Sequence, residues 1–312
     1  MRKILALVAA LCLAPIGAQA WWQSVDQQSV GSAPSYQGPG DIVSGALAWG
    51  SCARVYNASL ASTSTSLCDL VDSVSGAAVG TLRGSAAGTV DLSAYFSGSV
   101  TPAAACAAAG GGACRVSKVY DQIGGTAGWT NATNGQRPIL TFSAQNGLPG
   151  MTGTAAGNTN LTTVATFTRA QPWTQVMVAK RTANFTTSQS LMGSSGAFNH
   201  CTSFTSSANT AGFSSDGVST ITQGSVTDSN FHAIQVVADT SPNSVLAVDG
   251  TETTGNAGTG AFSSNTSRIM RCSGGLSMDG VFLEGGLWPA GFNGTQRTNM
   301  NSNLHGASGY NF

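Results

Sequence analysis

The stretch AIQVVADTSPNSVLAVDGTET, residues 233–253, decides the fold class. Two apolar runs rich in β-branched residues flank a Thr-Ser-Pro-Asn-Ser segment. Apolar runs separated by turn residues predict neighbouring antiparallel strands. The dipeptide Asp249-Gly250 is the kind that a type I′ turn prefers, so a further strand is expected to begin at Thr251. The stretch therefore predicts consecutive β-strands joined by tight turns.

Similar short apolar runs, separated by turn residues, recur along the rest of the chain. They predict strands at Cys68–Asp72, Arg115–Asp121, Ile139–Phe142, Thr174–Lys180, Ala233–Asp239, Val245–Asp249 and Gly280–Trp288. The pattern as a whole predicts an all-β fold, a β-sandwich with one or two short peripheral helices.

Helical spacing of apolar residues occurs in two places. The first is Asp41–Ala61, where Asp41 can serve as the N-cap. Gly45 and Gly50 weaken this prediction, because a glycine inside a helix costs about 1 kcal/mol relative to alanine. The second is Asn293–Leu304, which is expected to form a closing helix.

Composition and charge argue against nucleic-acid binding. The 312 residues carry 13 Lys and Arg against 13 Asp and Glu, and charged residues make up only 8% of the chain. Neutralising phosphates requires a clustered basic face, which this balance does not supply. The low charge also argues against charge-driven disorder. With 40 glycines and many Ser, Thr and Ala residues, the composition is typical of an exported β domain.

Residues 1–20, MRKILALVAALCLAPIGAQA, have the pattern of a secretory signal peptide. Arg2 and Lys3 precede an apolar run, and the run ends in a small-x-small cleavage pattern before Trp21. The apolar run is shorter than the about 20 residues that span a bilayer. We therefore expect a secreted protein, extracellular or periplasmic, with no membrane partner after cleavage.

The remaining chain divides into an arm and a domain. Residues 21–40 are rich in Gln, Gly, Ser and Pro without periodicity, which predicts an extended N-terminal arm. Residues 41–312 contain no repeat of fixed period and no break in composition. They are therefore predicted to form a single β-sandwich domain. None of these patterns decides the oligomeric state.

Six cysteines remain after cleavage, and an even number in an exported chain predicts disulfide bonds. Spacing favours Cys106–Cys114, because a flexible Ala/Gly loop joins them. The next most local pair is Cys52–Cys68, which leaves Cys201–Cys272, although the other pairings stay open. The chain has no CxxC motif and its three histidines are scattered, so we predict no metal site and no cofactor.

The stretch from Cys106 to residue 125 carries a specific resemblance. A closely spaced cysteine pair, Cys106 and Cys114, is followed by the run RVSKV, then Tyr-Asp-Gln and a Gly-rich turn. This order resembles the catalytic domain of the α-L-arabinofuranosidases of glycoside hydrolase family 54. Cys68–Val71 and Gly280–Gly285 resemble two further strands of that family. The resemblance implies a jelly roll of the concanavalin and laminin-G class that releases terminal arabinofuranosyl residues from polysaccharides.

The resemblance also suggests site residues. Family members use a glutamate nucleophile in an Asp-x-Glu-Asn setting and an acid/base aspartate after a Gly-Gly pair. Here Asp216 matches the substrate-binding aspartate, and Val218 stands at the glutamate position. After Gly274-Gly275 the nearest carboxylate is Asp279, and the late strand contains Glu284. A hydrolase would draw its carboxylate pair from these three, about 5–5.5 Å apart for retention or about 6.5–9.5 Å for inversion.

Two further positions bear on sugar recognition. His200-Cys201 stands roughly where the family has an adjacent cysteine pair beneath the sugar. Trp129 lies in the polar segment Gly-Trp-Thr-Asn and is the best candidate to stack on a sugar ring, whereas Trp173 is expected to pack in the core. Calcium, which is common in laminin-G-like sandwiches, has no assigned ligands in this chain.

Three functional classes fit these patterns. The first is a glycan-directed enzyme of the arabinofuranosidase type, which needs two convergent carboxylates in one cleft. The second is a non-catalytic carbohydrate-binding or adhesive module, on a cell surface or a virion, which needs exposed aromatic side chains beside Asn or Asp. The third is a structural coat or fibre domain, which needs an exposed apolar patch or an unpaired strand edge. For the first two, the expected partner is a polysaccharide or glycan.

Overall fold

The described part of the chain consists mainly of antiparallel β-strands. A computed structural model describes residues 35–93, 100–110, 112–124, 128–183, 185–196, 200–206, 210–224, 226, 229–260, 262–272, 277–306 and 309–312. The predicted signal peptide, and the predicted arm up to residue 34, lie outside the described residues. The elements below belong to the unit Tyr36–Phe312. None of the described helices is long and apolar enough to cross a bilayer.

The bounds of the elements are as follows. The first nine strands are β1 Ala48–Ser51, β2 Ser66–Asp72, β3 Ala78–Arg83, β4 Cys114–Val119, β5 Trp129–Thr130, β6 Ile139–Gln145, β7 Leu148–Gly153, β8 Leu161–Arg169 and β9 Trp173–Arg181. The second nine are β10 Gln189–Ser194, β11 Cys201–Phe204, β12 Ala211–Ser214, β13 Ile221–Gln223, β14 His232–Ala238, β15 Ser244–Val248, β16 Thr251–Gly255, β17 Phe262–Ile269 and β18 Gly280–Trp288. The helices of the described part are α1 Pro39–Ile42, α2 Pro102–Ala108 and α3 Gly294–His305.

Strand pairing produces two layers. One layer runs β16–β15–β14–β9–β18 and continues beyond β18 to both β1 and β7. The other runs β13–β12–β11–β10–β17–β8–β5–β4–β2–β3. The two are linked through β6, which pairs with β7 and, at Ile139, with Arg115 of β4. The predicted all-β sandwich is confirmed.

The central strands β9, β14 and β18 are buried on both faces. Alternate residues such as Met177 and Ile234 belong to an inner core shared with the second layer. The residues between them, such as Val178 and Ala233, belong to an outer core on the opposite face. Strands buried on both faces read as continuous apolar runs. This explains why the sequence predicts all three strands.

The outer core is covered by α3 and by the segment that follows α1. Met300 and Leu304 of α3 pack there with Trp49, Tyr56 and Trp288. The predicted closing helix at Asn293–Leu304 is confirmed, and Asn293 caps it by accepting a hydrogen bond from the Gln296 backbone N–H.

The predicted helix at Asp41–Ala61 is wrong. Helix α1 ends at Ile42, and β1 pairs with Gly285 and its neighbours on β18. Gly45 has a φ of 78°, outside the right-handed helical region. The apolar residues of this segment, such as Trp49 and Tyr56, cover the outer core from a largely irregular backbone. Their helical spacing therefore does not produce a helix, because β1 pairs with β18 instead.

The quoted hairpin stretch folds as expected. Val237 of β14 pairs with Val245 of β15, and Val248 pairs with Thr251. Asp249 and Gly250 have φ values of 51° and 82°, both positive, as a type I′ turn requires. The predicted turn is confirmed.

All three expected disulfides are present: Cys52–Cys68, Cys106–Cys114 and Cys201–Cys272. The first fastens the chain just after β1 to β2, and the third joins the start of β11 to the chain just after β17. The bonds fit a protein that folds in an oxidising compartment.

We predict that Gly50→Ala destabilises the fold. A Cβ on Gly50 would lie 2.6 Å from the Trp129 ring and 2.8 Å from the Val119 side chain. Overpacking of this kind costs about 1–3 kcal/mol. The control is Gly135→Ala, where a Cβ meets nothing within 4 Å. Denaturant unfolding should show a lower free energy of unfolding for Gly50→Ala and an unchanged value for Gly135→Ala. Equal unfolding midpoints for the two variants would contradict this packing.

Candidate functional site

Asp216 lies in a tight turn between β12 and β13. Its Oδ1 accepts hydrogen bonds from the backbone N–H groups of Val218 at 2.8 Å and Ser219 at 2.7 Å. The Ser214 hydroxyl accepts from the Gly217 N–H at 2.9 Å, which closes the turn. Partial burial raises the pKa of Asp216, but these hydrogen bonds outweigh it, so the pKa lies below its ordinary value. The turn therefore presents an ionised, partly exposed carboxylate.

Residues 256–260 pack against this turn. Ser215 donates to the Ala257 carbonyl from both its N–H, at 2.6 Å, and its hydroxyl, at 2.8 Å. Gly258 has a φ of 89°, and a Cβ there would lie 2.2 Å from the Asp216 carboxyl group. Gln171 donates from Nε2 to the Ser215 hydroxyl and to the Gly258 carbonyl, both at 3.1 Å. Side-chain hydrogen bonds therefore hold three separate segments around Asp216.

An aromatic cluster lies beneath this region. The Trp173 ring contacts the rings of His200, at a centroid distance of 5.2 Å, and Phe213, at 5.7 Å. All three side chains are buried, as expected for Trp173. A Cβ on Gly260 would lie 3.4 Å from His200 Cε1 and 1.9 Å from the Ser215 carbonyl oxygen. The cluster therefore supports the loops around Asp216.

The structure brings together two of the stretches that the resemblance assigns to the sugar site, those of Asp216 and of His200-Cys201. Phe213, two residues before the turn, packs with Trp173, which also contacts His200. Cys201 is joined by its disulfide to Cys272, which precedes the Gly-Gly stretch. Gly274-Gly275 itself lies outside the described residues. We call the residues 171, 200, 213–219 and 256–260 the Asp216 site.

The Asp279 side chain is buried, and its carboxylate accepts a hydrogen bond from a backbone N–H group. Its Oδ1 accepts from the Ala155 N–H at 2.5 Å, and its own N–H donates to Gln189 Oε1 at 2.9 Å. Its carbonyl accepts from the Thr182 N–H at 2.9 Å. These bonds connect the start of β18 to the loops after β7 and β9, which is a structural role.

Glu284 is fully buried in an ion pair with Arg54. Its two carboxylate oxygens accept from Arg54 Nε at 2.8 Å and Nη2 at 2.5 Å, and the Tyr310 hydroxyl donates to it at 2.9 Å. Arg54 also donates to Asn303 Oδ1 in α3 at 3.1 Å. Burial lowers the pKa of Arg54, but the carboxylate of Glu284 outweighs it, so the pKa is raised. Arg54 is therefore held as a cation in this contact.

A β-bulge in β18 directs the Glu284 side chain toward Arg54. Phe282 pairs with Ala179 and Glu284 with Val178, so Leu283 is an extra residue in β18. Leu283 belongs to the outer core, and Glu284 binds Tyr310 of the same core. The hydrogen bonds given above therefore place the carboxylates of Asp216, Asp279 and Glu284 on three different sets of residues.

Trp129 was expected to stack on a sugar, but it is fully buried in β5. Its ring packs against Gly50 and belongs to the inner core with Val119. The sequence around Trp129 is typical of a polar loop, but β5 pairs with β4 and β8, and this pairing buries the Trp129 side chain in the inner core. Both faces of the ring are taken up by protein, so Trp129 cannot act as a stacking platform in this structure.

Comparison with solved structures shows the same fold in arabinofuranosidases. They include an arabinofuranosidase complexed with arabinofuranosyl-α-1,2-xylobiose, a glutamate-to-glutamine mutant of a GH54 α-L-arabinofuranosidase soaked with 4-nitrophenyl α-L-arabinofuranoside, and a GH54 enzyme soaked with a cyclic sulfate inhibitor. The TM-scores are 0.60, 0.60 and 0.59, each at 15% sequence identity over 85% of this chain.

This chain spans 65% of the length of each of those enzymes. No family model matches it, and no curated protein matches it by sequence. At this identity the likeness establishes the fold, an arabinofuranosidase-type β-sandwich. The resemblance inferred from the sequence is thus confirmed for the fold.

Sequence reasoning missed two participants. Gln171 binds two other segments of the Asp216 site, at Ser215 and at Gly258 and Gly260, but it is an isolated polar residue in the sequence. Arg54 pairs with a residue 230 positions away, which no local pattern signals. Among the described residues, no group of three or more His, Cys, Asp or Glu side chains is arranged to hold a metal ion.

We predict that Glu284→Gln lowers the free energy of unfolding by about 3–5 kcal/mol, because it leaves the Arg54 charge buried without its counter-ion. The matched control is Glu252→Gln, which breaks the bidentate pair between Glu252 and Arg297. The Glu252 side chain in that pair is 35% exposed. That change should cost about 0–1 kcal/mol. Urea unfolding measures both, and similar costs would contradict a structural role for Glu284.

Proposed function

We propose that this chain is an exported glycan-binding protein that uses the Asp216 site of an arabinofuranosidase-type sandwich. The observation that carries the proposal is the position of Asp216. Of the three candidate carboxylates it is the one that is partly exposed, and it is held ionised in a turn. Its stretch also packs beside the His200 stretch, as the family resemblance implies.

The chemistry of the site suits sugar hydroxyls. An ionised carboxylate accepts strong hydrogen bonds from hydroxyl groups. Exposed polar side chains, Asn256 and Thr259, lie on the loop packed against Asp216, and Val218 at the tip of the turn is 87% exposed. An exposed aliphatic side chain beside a carboxylate can contact the apolar C–H face of a sugar. We therefore propose an arabinofuranosyl-containing polysaccharide as the partner.

Binding without hydrolysis is favoured by the roles of the other carboxylates. Retaining hydrolysis needs two carboxyl groups about 5–5.5 Å apart. Asp279 and Glu284 are buried in structural contacts, and Val218 stands where the resemblance places the nucleophile. We infer that the scaffold of a hydrolase serves as a binding module here.

The enzyme remains the second candidate, supported by the fold shared with arabinofuranosidases. A structural coat or fibre domain has less support. The large hydrophobic side chains left exposed in the described part are Val74, Val164 and Val218, which lie in three separate segments rather than in one patch. We propose an extracellular or periplasmic location, on the basis of the three disulfides and the predicted signal peptide.

We predict that the oxidised protein binds arabinoxylan or arabinan, and that Asp216→Asn weakens binding about 10- to 100-fold. The asparagine retains an oxygen that accepts from the turn N–H groups, but it loses the charge. A hydrogen bond to a charged group contributes about 1.5–3 kcal/mol, against about 0.5–1.5 kcal/mol for a neutral one. Affinity electrophoresis or calorimetry measures the change. The matched control is Asp91→Asn, whose Oδ1 accepts from the Ser93 N–H and hydroxyl in a similar turn.

The same preparations should release no chromophore from 4-nitrophenyl α-L-arabinofuranoside. Turnover that Asp216→Asn abolishes would overturn the binding-only proposal in favour of the hydrolase. Unchanged binding by Asp216→Asn would show that the site lies elsewhere, and Asp279→Asn and Glu284→Gln would then be tested in the same assays.

A further inference from the structure

A second polar cavity lies apart from the residues of the Asp216 site. It has a volume of about 450 Å³, within the range of about 300–1,000 Å³ that is typical of small-molecule sites. The residues around it come from the ends of β6, β9 and α3, from the chain on either side of the β14–β15 hairpin, and from the C-terminus. They are Gln145, Lys180, Ser229, Asn230, Phe231, His232, Asp249, His305 and Phe312.

A His-Asp-His cluster forms one wall of this cavity. Asp249 Oδ2 lies 2.6 Å from His232 Nδ1, and Asp249 Oδ1 lies 3.2 Å from His305 Nε2. The Ala233 N–H also donates to Oδ1, at 2.8 Å. Burial raises the pKa of Asp249, but the hydrogen bonds from both histidines outweigh it, so the pKa is lowered. Asp249 is therefore a carboxylate that accepts from both rings.

His305 is held in its cationic form. Its Nδ1 lies 2.9 Å from the Asn301 carbonyl, and its Nε2 faces Asp249. Both partners only accept hydrogen bonds, so both ring nitrogens must carry a proton. The hydrogen bond to Asp249 raises the pKa of His305 accordingly. The charges of His305 and Asp249 cancel within the cavity wall.

Lys180 adds a positive charge that no described carboxylate balances. Its ammonium group lies 4.5 Å from the centre of the Phe231 ring and forms no ion pair within the described part of the chain. The side chain is half-buried at the cavity. Lys180 is therefore a cation at the cavity that no ion pair of the described residues neutralises, which suits a negatively charged ligand.

The rest of the wall suits a ring-shaped ligand. Phe312 is partly exposed and provides an apolar surface, and its ring centroid lies 6.3 Å from that of the buried Phe231. Ser229, Asn230 and Gln145 add groups that can bind hydroxyls. A bare phosphate would leave the apolar wall unused.

We propose that this cavity binds a sugar carboxylate, with the carboxylate of a uronic acid on Lys180 and its C–H face against Phe312. This site would add recognition of acidic sugar units to the protein. It does not depend on the Asp216 site, because the two sites share no residue.

The test is calorimetric titration of the oxidised protein with D-glucuronate and D-galacturonate, with D-glucose and inorganic phosphate as comparison probes. A uronate should bind saturably and at least about 10-fold more tightly than glucose or phosphate. Lys180→Met should weaken that binding about 10-fold or more, and Lys180→Arg should largely retain it. Ring signals of His305 in NMR spectra should shift on titration.

The matched control is Lys118→Met, because Lys118 also lies over an aromatic ring, 4.3 Å from the centre of Tyr120. Lys118→Met and Asp216→Asn should bind the uronate as the unmodified protein does, which separates this proposal from the proposed function. The proposal is overturned if neither uronate binds, if phosphate or glucose binds as tightly, or if Lys180→Met leaves the affinity unchanged while remaining folded by circular dichroism.

Discussion

Burial of both faces of the central strands β9, β14 and β18 is the constraint on which the rest of this structure depends. The inner face packs on the second layer, and the outer face must be covered by another element. That cover is α3 together with the segment after α1, and the buried Arg54–Glu284 pair fastens it to β18. Removing one member of such a pair leaves an uncompensated buried charge, so separating the cover from β18 at this point is costly. Glu284 therefore has a structural role.

The candidate glycan site uses a different part of the architecture. Its residues come from the turn after β12, the loop before β17 and Gln171 before β9, with the Cys201–Cys272 disulfide and the buried Trp173 beneath them. Loops held on a rigid sheet are the usual place for recognition. In the proposed function, this division places the glycan site on loops, while Asp279 and Glu284 stabilise strands.

The sequence predicts the central strands well, because burial on both faces makes them continuous apolar runs. It fails where long-range pairing decides the structure. The spacing of Trp49 and Tyr56 suggests a helix, but β1 pairs with β18, and Trp129 reads as a loop residue until β4 and β8 pair around it. The polar strands β10 and β17 carry no apolar alternation and were not predicted. The dipeptide Asp216-Gly217 is typical of a turn, as observed. Local patterns cannot show that Glu284 meets Arg54, because that contact joins residues 230 positions apart.

The central claim is that sugar binding occurs at Asp216 and that Glu284 is structural. A ¹H–¹⁵N NMR titration of the oxidised protein with arabinofuranosyl-α-1,2-xylobiose tests both parts at once. The account predicts saturable shifts confined to amides of residues 171, 213–219 and 256–260, with residues 51–54, 283–285 and 310 unchanged. Shifts centred on Arg54, Glu284 and Tyr310, with none at the Asp216 turn, would contradict it.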